Sequence, residues 1–147
     1  MKLSTRVRYG LRALVELADV QRDSPVLLDR IAGNQGISRK YLDAIFARLK
    51  AAGIVTSSRG VGGGFQLAQD PKTITVASVF AGLEGPLTLV DCHAQDRHCG
   101  NVDLCPTVEV WAELSGTMTG FLEGITVWDL VLKKRDKAQR GTEMYYI

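Results

Sequence analysis

All thiols of this 147-residue chain lie in one short polar segment, as Cys92, Cys99 and Cys105. The histidines, His93 and His98, lie in the same segment. Thiolates and imidazoles are ligands for zinc and for iron–sulfur clusters, whereas thiols alone can oxidise to a disulfide. An odd number of cysteines argues against a disulfide framework. The sequence therefore predicts a metal or redox centre on a loop over residues 92–105.

The residues alone leave the kind of centre open. Three cysteines and one histidine form an accepted structural zinc set, although the gaps here are wider than zinc sites favour. An iron–sulfur cluster needs four ligands, so a fourth must come from His98, His93, a carboxylate, water or a small thiol. A metal-free thiol switch is a third alternative.

The composition is that of a globular protein, with 46% hydrophobic and 23% charged residues. No secretory signal or membrane-spanning run is visible, so we expect a cytoplasmic protein. Residues 1–70 carry eleven Lys/Arg against six Asp/Glu, whereas residues 71–147 carry seven against ten. A basic first half favours a polyanionic partner, and an ordinary solvated surface is the alternative.

The elements that must position these groups begin with three helices. The first is capped by Ser4-Thr5, the second runs through Leu28 and Ile31, and the third is capped by Ser38 and ends at Gly53. Two short strand-like runs, 54–57 and 65–68, flank a glycine-rich loop. This order predicts a mainly α fold, a winged helix-turn-helix with a small β-hairpin wing over residues 1–70.

The second helix of such a motif enters the major groove of double-stranded DNA, and its first residues reach the bases. A wing arginine can enter a narrow minor groove. The alternative is an ordinary capped surface helix; a P-loop is disfavoured because the glycine run lacks Lys-Ser/Thr. The predicted DNA-binding residues are Ser38, Arg39, Lys40, Tyr41, Asp43 and Arg59.

The second half divides into four segments. Residues 71–91 form a connecting helix capped by Thr75, residues 92–105 the cysteine loop, residues 106–132 a long dimerisation helix, and residues 133–147 a charged, mobile tail. Gly124 weakens the long helix, and Thr126 with Asp129 restarts it. An apolar seam favours pairing with a second subunit, and a single amphipathic helix is the alternative. Its members are Trp111, Leu114, Met118, Phe121 and Ile125.

Several stretches together resemble the IscR-type family of bacterial winged helix-turn-helix regulators. They are MKLSTRVRYGLRALVELA, IAGNQGISRKYLDAIFARLKAAGIV and SSRGVGGGFQLA, followed by the cysteine triplet and the long helix. The likeness covers roughly residues 1–132. It implies a homodimer with an iron–sulfur cluster whose state switches transcription.

By position, the resemblance assigns DNA contacts to Ser38, Lys40, Asp43 and Arg59, and cluster ligation to Cys92, Cys99 and Cys105. Two departures concern the fourth ligand. Val108 stands where IscR has a histidine, and Arg8 stands where nitrosative-stress relatives have a carboxylate. The fourth ligand is therefore left open, with His98 and His93 as candidates.

Together these features predict a homodimeric, DNA-binding transcription regulator, a repressor without enzymatic activity, acting on an imperfect palindrome. We expect control by a redox-sensitive iron–sulfur cluster, with 2Fe-2S favoured over 4Fe-4S. One alternative is a DNA-binding regulator that uses a cysteine thiol switch or structural zinc. An alternative from another class is an iron–sulfur electron carrier or redox enzyme.

Overall fold

The computed structural model describes residues 3–20, 24–90 and 104–143. Six helices and a two-stranded antiparallel sheet make up this part of the chain. In chain order they are α1 (Thr5–Val20), α2 (Leu28–Gln35), α3 (Arg39–Ala51), β1 (Val55–Ser58), β2 (Gly64–Leu67), α4 (Val76–Glu84), α5 (Val108–Glu123) and α6 (Val127–Glu143). The mainly helical winged fold is confirmed.

Polar side chains cap the starts of α1, α3 and α4, as predicted. The Ser4 hydroxyl accepts from the Val7 amide at 3.2 Å, and the Ser38 hydroxyl accepts from the Tyr41 amide at 3.3 Å. Thr75 caps α4 in the same way, since its hydroxyl accepts from the Ser78 amide at 3.1 Å. Each cap satisfies an amide that the first helical turn leaves without a partner.

The wing pairs Val55 with Leu67 and Ser58 with Gly64, one residue away from the predicted strand limits. A backbone bridge from Val26 adds to its second strand: the Val26 and Phe65 amides each donate to the other residue's carbonyl at 2.8 Å. A Cβ at Gly64 would lie 2.5 Å from the Val26 carbonyl oxygen, so this approach requires glycine. The wing is thereby fixed to the segment between α1 and α2.

The core joins the helix-turn-helix to later parts of the chain. Helices α1, α2 and α3 bury their apolar faces together, and the wing, α4 and α6 complete the cluster. Fully buried members include Leu14, Leu17, Ile31, Leu42, Phe46, Leu83 and Val127. Burial of one such side chain contributes about 1.5–3 kcal/mol, so this one core holds the unit together.

The C-terminal half differs from the predicted segments. A dimerisation helix over 106–132 was expected, weakened at Gly124 and restarted by Thr126 with Asp129. In the structure α5 ends at Glu123 and α6 begins at Val127. The break follows from Gly124 and from the Thr126–Asp129 pair: the Thr126 amide donates to the Asp129 carboxylate at 2.8 Å, and the Asp129 amide to the Thr126 hydroxyl at 3.1 Å.

Helix α6 returns to the winged helix-turn-helix and packs on α1. The Val127 amide donates to the Ile74 carbonyl at 2.8 Å, and Val127 and Val131 are buried against the core. The segment predicted as a charged, mobile tail over 133–147 is helical as far as Glu143, and its first residues, Lys134 and Arg135, form ion pairs with acidic side chains of α1. The winged helix-turn-helix therefore shares one core with α4 and α6.

Candidate nucleic-acid interface and thiol segment

Helix α3 is anchored on one face and open on the other. Leu42, Ile45, Phe46 and Leu49 are buried, whereas Ser38, Lys40 and Asp43 are exposed. Phe46 meets the wing residue Phe65 edge to face, with ring centroids 4.9 Å apart. The Lys50 ammonium donates to the Ser57 hydroxyl of β1 at 2.6 Å. Helix and wing therefore form one rigid unit with an exposed polar face.

Two cations are exposed for an outside partner. Lys40 lies in the first turn of α3, and Arg59 lies in the loop at the wing tip. In the described part of the chain, neither side chain makes an ion pair or hydrogen bond. Gly60 and Gly62 beside Arg59 have positive φ values of 97° and 80°, which keeps the tip narrow.

Arg39 is held by two carboxylates of its own chain. Its Nε lies 3.0 Å from Oδ1 of Asp29, in the first turn of α2, and its Nη1 pairs with Asp43 one turn along α3. The hydrogen bond to Asp43 raises the pKa of Arg39, so the guanidinium stays charged. The three groups together carry one net negative charge beside Lys40.

Tyr41 is half-buried and points towards α1. Its hydroxyl lies 3.0 Å from the Thr5 hydroxyl, and its ring packs edge to face on Tyr9 at 6.0 Å between centroids. The structure thus places Tyr41 in the contact between α1 and α3. The ring and the hydroxyl of Tyr41 are therefore both engaged by residues of α1.

A buried polar network fixes the turn before α3. Glu16 of α1 is 5% exposed, and its carboxylate accepts from Asn34 at 2.7 Å, from Gln35 at 3.1 Å and from Lys134 at 2.7 Å. Arg12 also donates to the Gln35 backbone carbonyl at 2.8 Å. The turn residues of the motif are therefore positioned by α1 and α6.

Burial raises the pKa of Glu16, but the hydrogen bonds from Lys134 and Asn34 outweigh burial and leave that pKa lower than usual. The carboxylate is thus ionised when the network is formed. Glu16 was not among the residues predicted from the sequence. Its signal was a charged side chain inside the apolar run ALVELADV of an amphipathic helix.

The end of α4 is a junction of three helices. The Leu83 carbonyl accepts from Nη1 of Arg48 on α3 at 3.3 Å and from Nη1 of Arg6 on α1 at 3.4 Å. A Cβ at Gly82 would lie 2.7 Å from Cβ of Ala52, so α3 and α4 pack closely here. The chain leaves this junction towards the cysteine segment.

The cysteine segment is described only at its end. Cys105 is half-buried, and its Sγ lies 3.3 Å from the Thr107 hydroxyl just before α5. Hydrogen bonding to Thr107 lowers the pKa of Cys105. Cys92, Cys99, His93 and His98 lie outside the described residues. Within the described ranges, no three potential His, Cys, Asp or Glu ligands come together.

Helix α5 buries none of its residues. Trp111, Leu114 and Phe121 are exposed, with Phe121 at 69%, and Met118 is half-buried. Ile125 does not belong to this helix: it follows the break after Glu123, and its carbonyl accepts from the Val76 amide at 2.8 Å. Of the predicted seam residues, four therefore lie on α5 and Ile125 lies beyond its end.

An open apolar groove of about 750 Å³ lies between the start of α1, α4 and α5. Its walls are mostly aliphatic and aromatic side chains, among them Leu3, Val7, Leu11, Phe80, Met118 and Phe121. Exposed apolar surface of this kind marks an interaction site. The groove thus lies between the winged helix-turn-helix core and the exposed helix α5.

Known proteins resemble the chain in sequence and in structure. Residues 3–133 match the model of Rrf2, described as an iron-dependent transcriptional regulator. The HTH-type transcriptional regulator IscR of Photobacterium profundum is 38% identical over 131 residues, 89% of this chain and 76% of the relative.

Two solved structures are similar over most of their length. T. potens IscR has a TM-score of 0.74 and 34% identity, covering 95% of this chain and 91% of that one. CymR, titled the global cysteine regulator of B. subtilis, has a TM-score of 0.73 and 32% identity, covering 90% and 98%. Among the described helices, none has the length and apolar content needed to cross a bilayer.

Proposed function

This chain belongs to the Rrf2 family of iron-dependent transcriptional regulators, and we propose that it reads DNA through α3 and the wing as a homodimer controlled by an iron–sulfur cluster. That it is a DNA-binding transcription regulator follows from the family. The observation that carries the proposed binding mode is the pair of exposed cations, Lys40 on α3 and Arg59 at the wing tip, on one rigid unit.

In this proposal the start of α3 enters a major groove. Ser38 and Lys40 are exposed there and suit contacts to phosphates or base edges, and Asp43 can accept from cytosine. Arg59 lies beside the adjacent minor groove. Two such units related by a twofold axis would require an imperfect palindrome, so we expect the operator to be one.

The test uses DNA selected by the protein from a random pool. Replacing Arg59 or Lys40 by alanine should weaken binding about tenfold and lower the salt dependence of the affinity by about one counterion. Fluorescence anisotropy at several salt concentrations measures both quantities. Lys137→Ala on α6 removes the same charge from an exposed site outside the motif and should have little effect. Equal losses in all three variants would contradict the proposed face.

The homodimer is supported by the surface of α5. An exposed apolar helix beside an apolar groove is costly in a free monomer, and the face is offered identically by a second copy. Trp111, Leu114, Met118 and Phe121 would then pack across a twofold axis, with part of each helix covering the partner's groove.

The cluster is supported by the chemistry of the donor set. Cys92, Cys99 and Cys105 would supply thiolates, and the lowered pKa of Cys105 beside Thr107 suits a thiolate ligand. His98 or His93 remains a candidate for the fourth ligand. When bound, the cluster would supply a redox-sensitive link between the cysteines of this segment. The cluster type stays a prediction, with 2Fe-2S favoured.

The protein's own contacts suggest how the segment communicates with DNA. It begins shortly after the Leu83 carbonyl, which Arg48 links to α3 and Arg6 links to α1. A change that moves the end of α4 must therefore move or release α3, because the backbone at Gly82 packs closely against the Ala52 side chain at the end of α3. The affinity ratio between the two states of the segment limits the regulatory effect.

Metal analysis tests the cluster. Protein purified without oxygen should be coloured and contain iron and acid-labile sulfide, and Cys105→Ser should lose both. The same variant should keep its helical circular dichroism, because Cys105 lies outside the core. A colourless protein that contains zinc and no sulfide would instead establish the structural-zinc alternative.

A further inference from the structure

Arg39 is the first residue of α3, and two carboxylates of its own chain pair with it. The Asp43 carboxylate lies on the same helix, whereas Asp29 reaches across from the first turn of α2, with its Oδ1 3.0 Å from the Arg39 Nε. All three side chains are exposed, so solvent and phosphates can reach the group. The charge of Arg39 is therefore more than neutralised within the free chain.

We propose that Asp29 is a positioning residue that sets DNA specificity by holding Arg39 against α2. This inference rests on the proposed DNA-binding mode. Non-specific binding consists almost entirely of attraction between cations and phosphates, whereas base contacts add the specific part. A residue that withdraws one cation from phosphates therefore weakens non-specific binding most.

Affinity for operator DNA and affinity for non-operator DNA should respond differently to the loss of Asp29. On non-operator DNA the register of α3 is not fixed, so an Arg39 that is held only by Asp43 on its own helix can turn to whichever phosphate is near. On the operator, base contacts fix the register, and Arg39 gains only where a phosphate lies within its reach. Specificity is the difference between the two affinities, so Asp29 raises it by disfavouring the wrong partner.

The test compares Asp29→Asn with the wild type on two DNA duplexes. One duplex carries the sequence selected by the wild-type protein, and the other carries the same bases scrambled. Asp29→Asn should raise affinity for scrambled DNA about fivefold, within the range of exposed ion pairs, and steepen its salt dependence by about one counterion. Affinity for the selected sequence should change less than twofold. The affinity ratio, selected over scrambled DNA, should therefore fall.

A double-mutant cycle separates a role through Arg39 from a general charge effect. In an Arg39→Gln background, Asp29→Asn should leave the affinity ratio unchanged, because the residue that it positions is gone. Asp29→Glu should keep a ratio near that of the wild type. Asp136→Asn removes an exposed aspartate that pairs with Arg140 on α6, and it should not alter the ratio.

Two outcomes would overturn the inference. One is an unchanged ratio in Asp29→Asn; the other is an equal change of the ratio with and without Arg39. Thermal melting of each variant shows whether the fold is intact, since these exposed pairs contribute little to stability. If the wild-type protein itself does not prefer the selected sequence, the proposed DNA-binding mode fails as well. If the wild-type protein prefers the selected sequence but Asp29→Asn leaves the affinity ratio unchanged, only this inference fails.

Discussion

Helices α3 and α5 both carry apolar residues, but only α3 buries them within one chain. The buried face of α3 packs on α1, α2, α4 and the wing, whereas α5 rests mainly on α4 and buries no residue. The winged helix-turn-helix is thus packed within a single chain, whereas the apolar face of α5 is left exposed in the described part of the chain. A free monomer would expose the α5 surface to water, so the comparison predicts a second copy there.

The largest effect should come from a matched pair of substitutions. Phe46→Ala removes a fully buried ring that joins α3 to the wing, and it should lower the free energy of unfolding by about 3–5 kcal/mol. Phe121→Ala removes the same ring from an exposed site on α5. In protein diluted to the monomer it should change that free energy by less than about 0.5 kcal/mol.

Chemical denaturation over a range of protein concentrations measures both variants. Phe121→Ala should act only at concentrations where the protein associates, because its ring would be buried only between subunits. Similar losses of unfolding free energy for both variants in the dilute monomer would show that α5 is packed within one chain. That result would contradict the difference between α3 and α5.

A smaller loss of unfolding free energy should show that α6 is packed on the winged helix-turn-helix. Glu16→Gln breaks the charge pairing with Lys134, and it should lower the free energy of unfolding by about 1–2 kcal/mol at neutral pH. The pKa of Glu16 is lower in the folded chain than its ordinary 4.5, so its contribution is present above that pH and is lost as the pH falls.

The variant should therefore converge with the wild type in acid. Denaturation at a series of pH values from neutral to acid checks this, with Asp136→Asn as the control because its carboxylate is exposed on α6. A stability difference that stays constant into acid would contradict an ionised Glu16 in the network.

The sequence predicted the elements whose signals are local. Ser4, Ser38 and Thr75 cap the helices where expected, and the glycines beside Arg59 mark the wing tip. Gly124 and Thr126 indicated the interruption after α5, although the predicted dimerisation helix was given a single range, 106–132. Local patterns could not show that α6 turns back onto α1, since this depends on pairs far apart in sequence such as Glu16 and Lys134.

The candidate site was predictable in its residue types and less so in its geometry. Lys40 and Arg59 are exposed as expected, but Arg39 and Tyr41 are engaged by Asp29 and Thr5, which distant segments supply. The DNA contacts, the seam and the cluster ligands remain predictions.

Sedimentation equilibrium tests the central contrast most directly. The wild-type protein should have twice the 16.0 kDa mass of one chain, and a variant with Trp111→Asp and Leu114→Asp should have the single mass with an unchanged helical spectrum. Those two side chains are exposed, so the charges should not unfold the monomer. A monomeric wild type, or a variant that remains dimeric, would contradict the assignment of α5 to the interface between two copies.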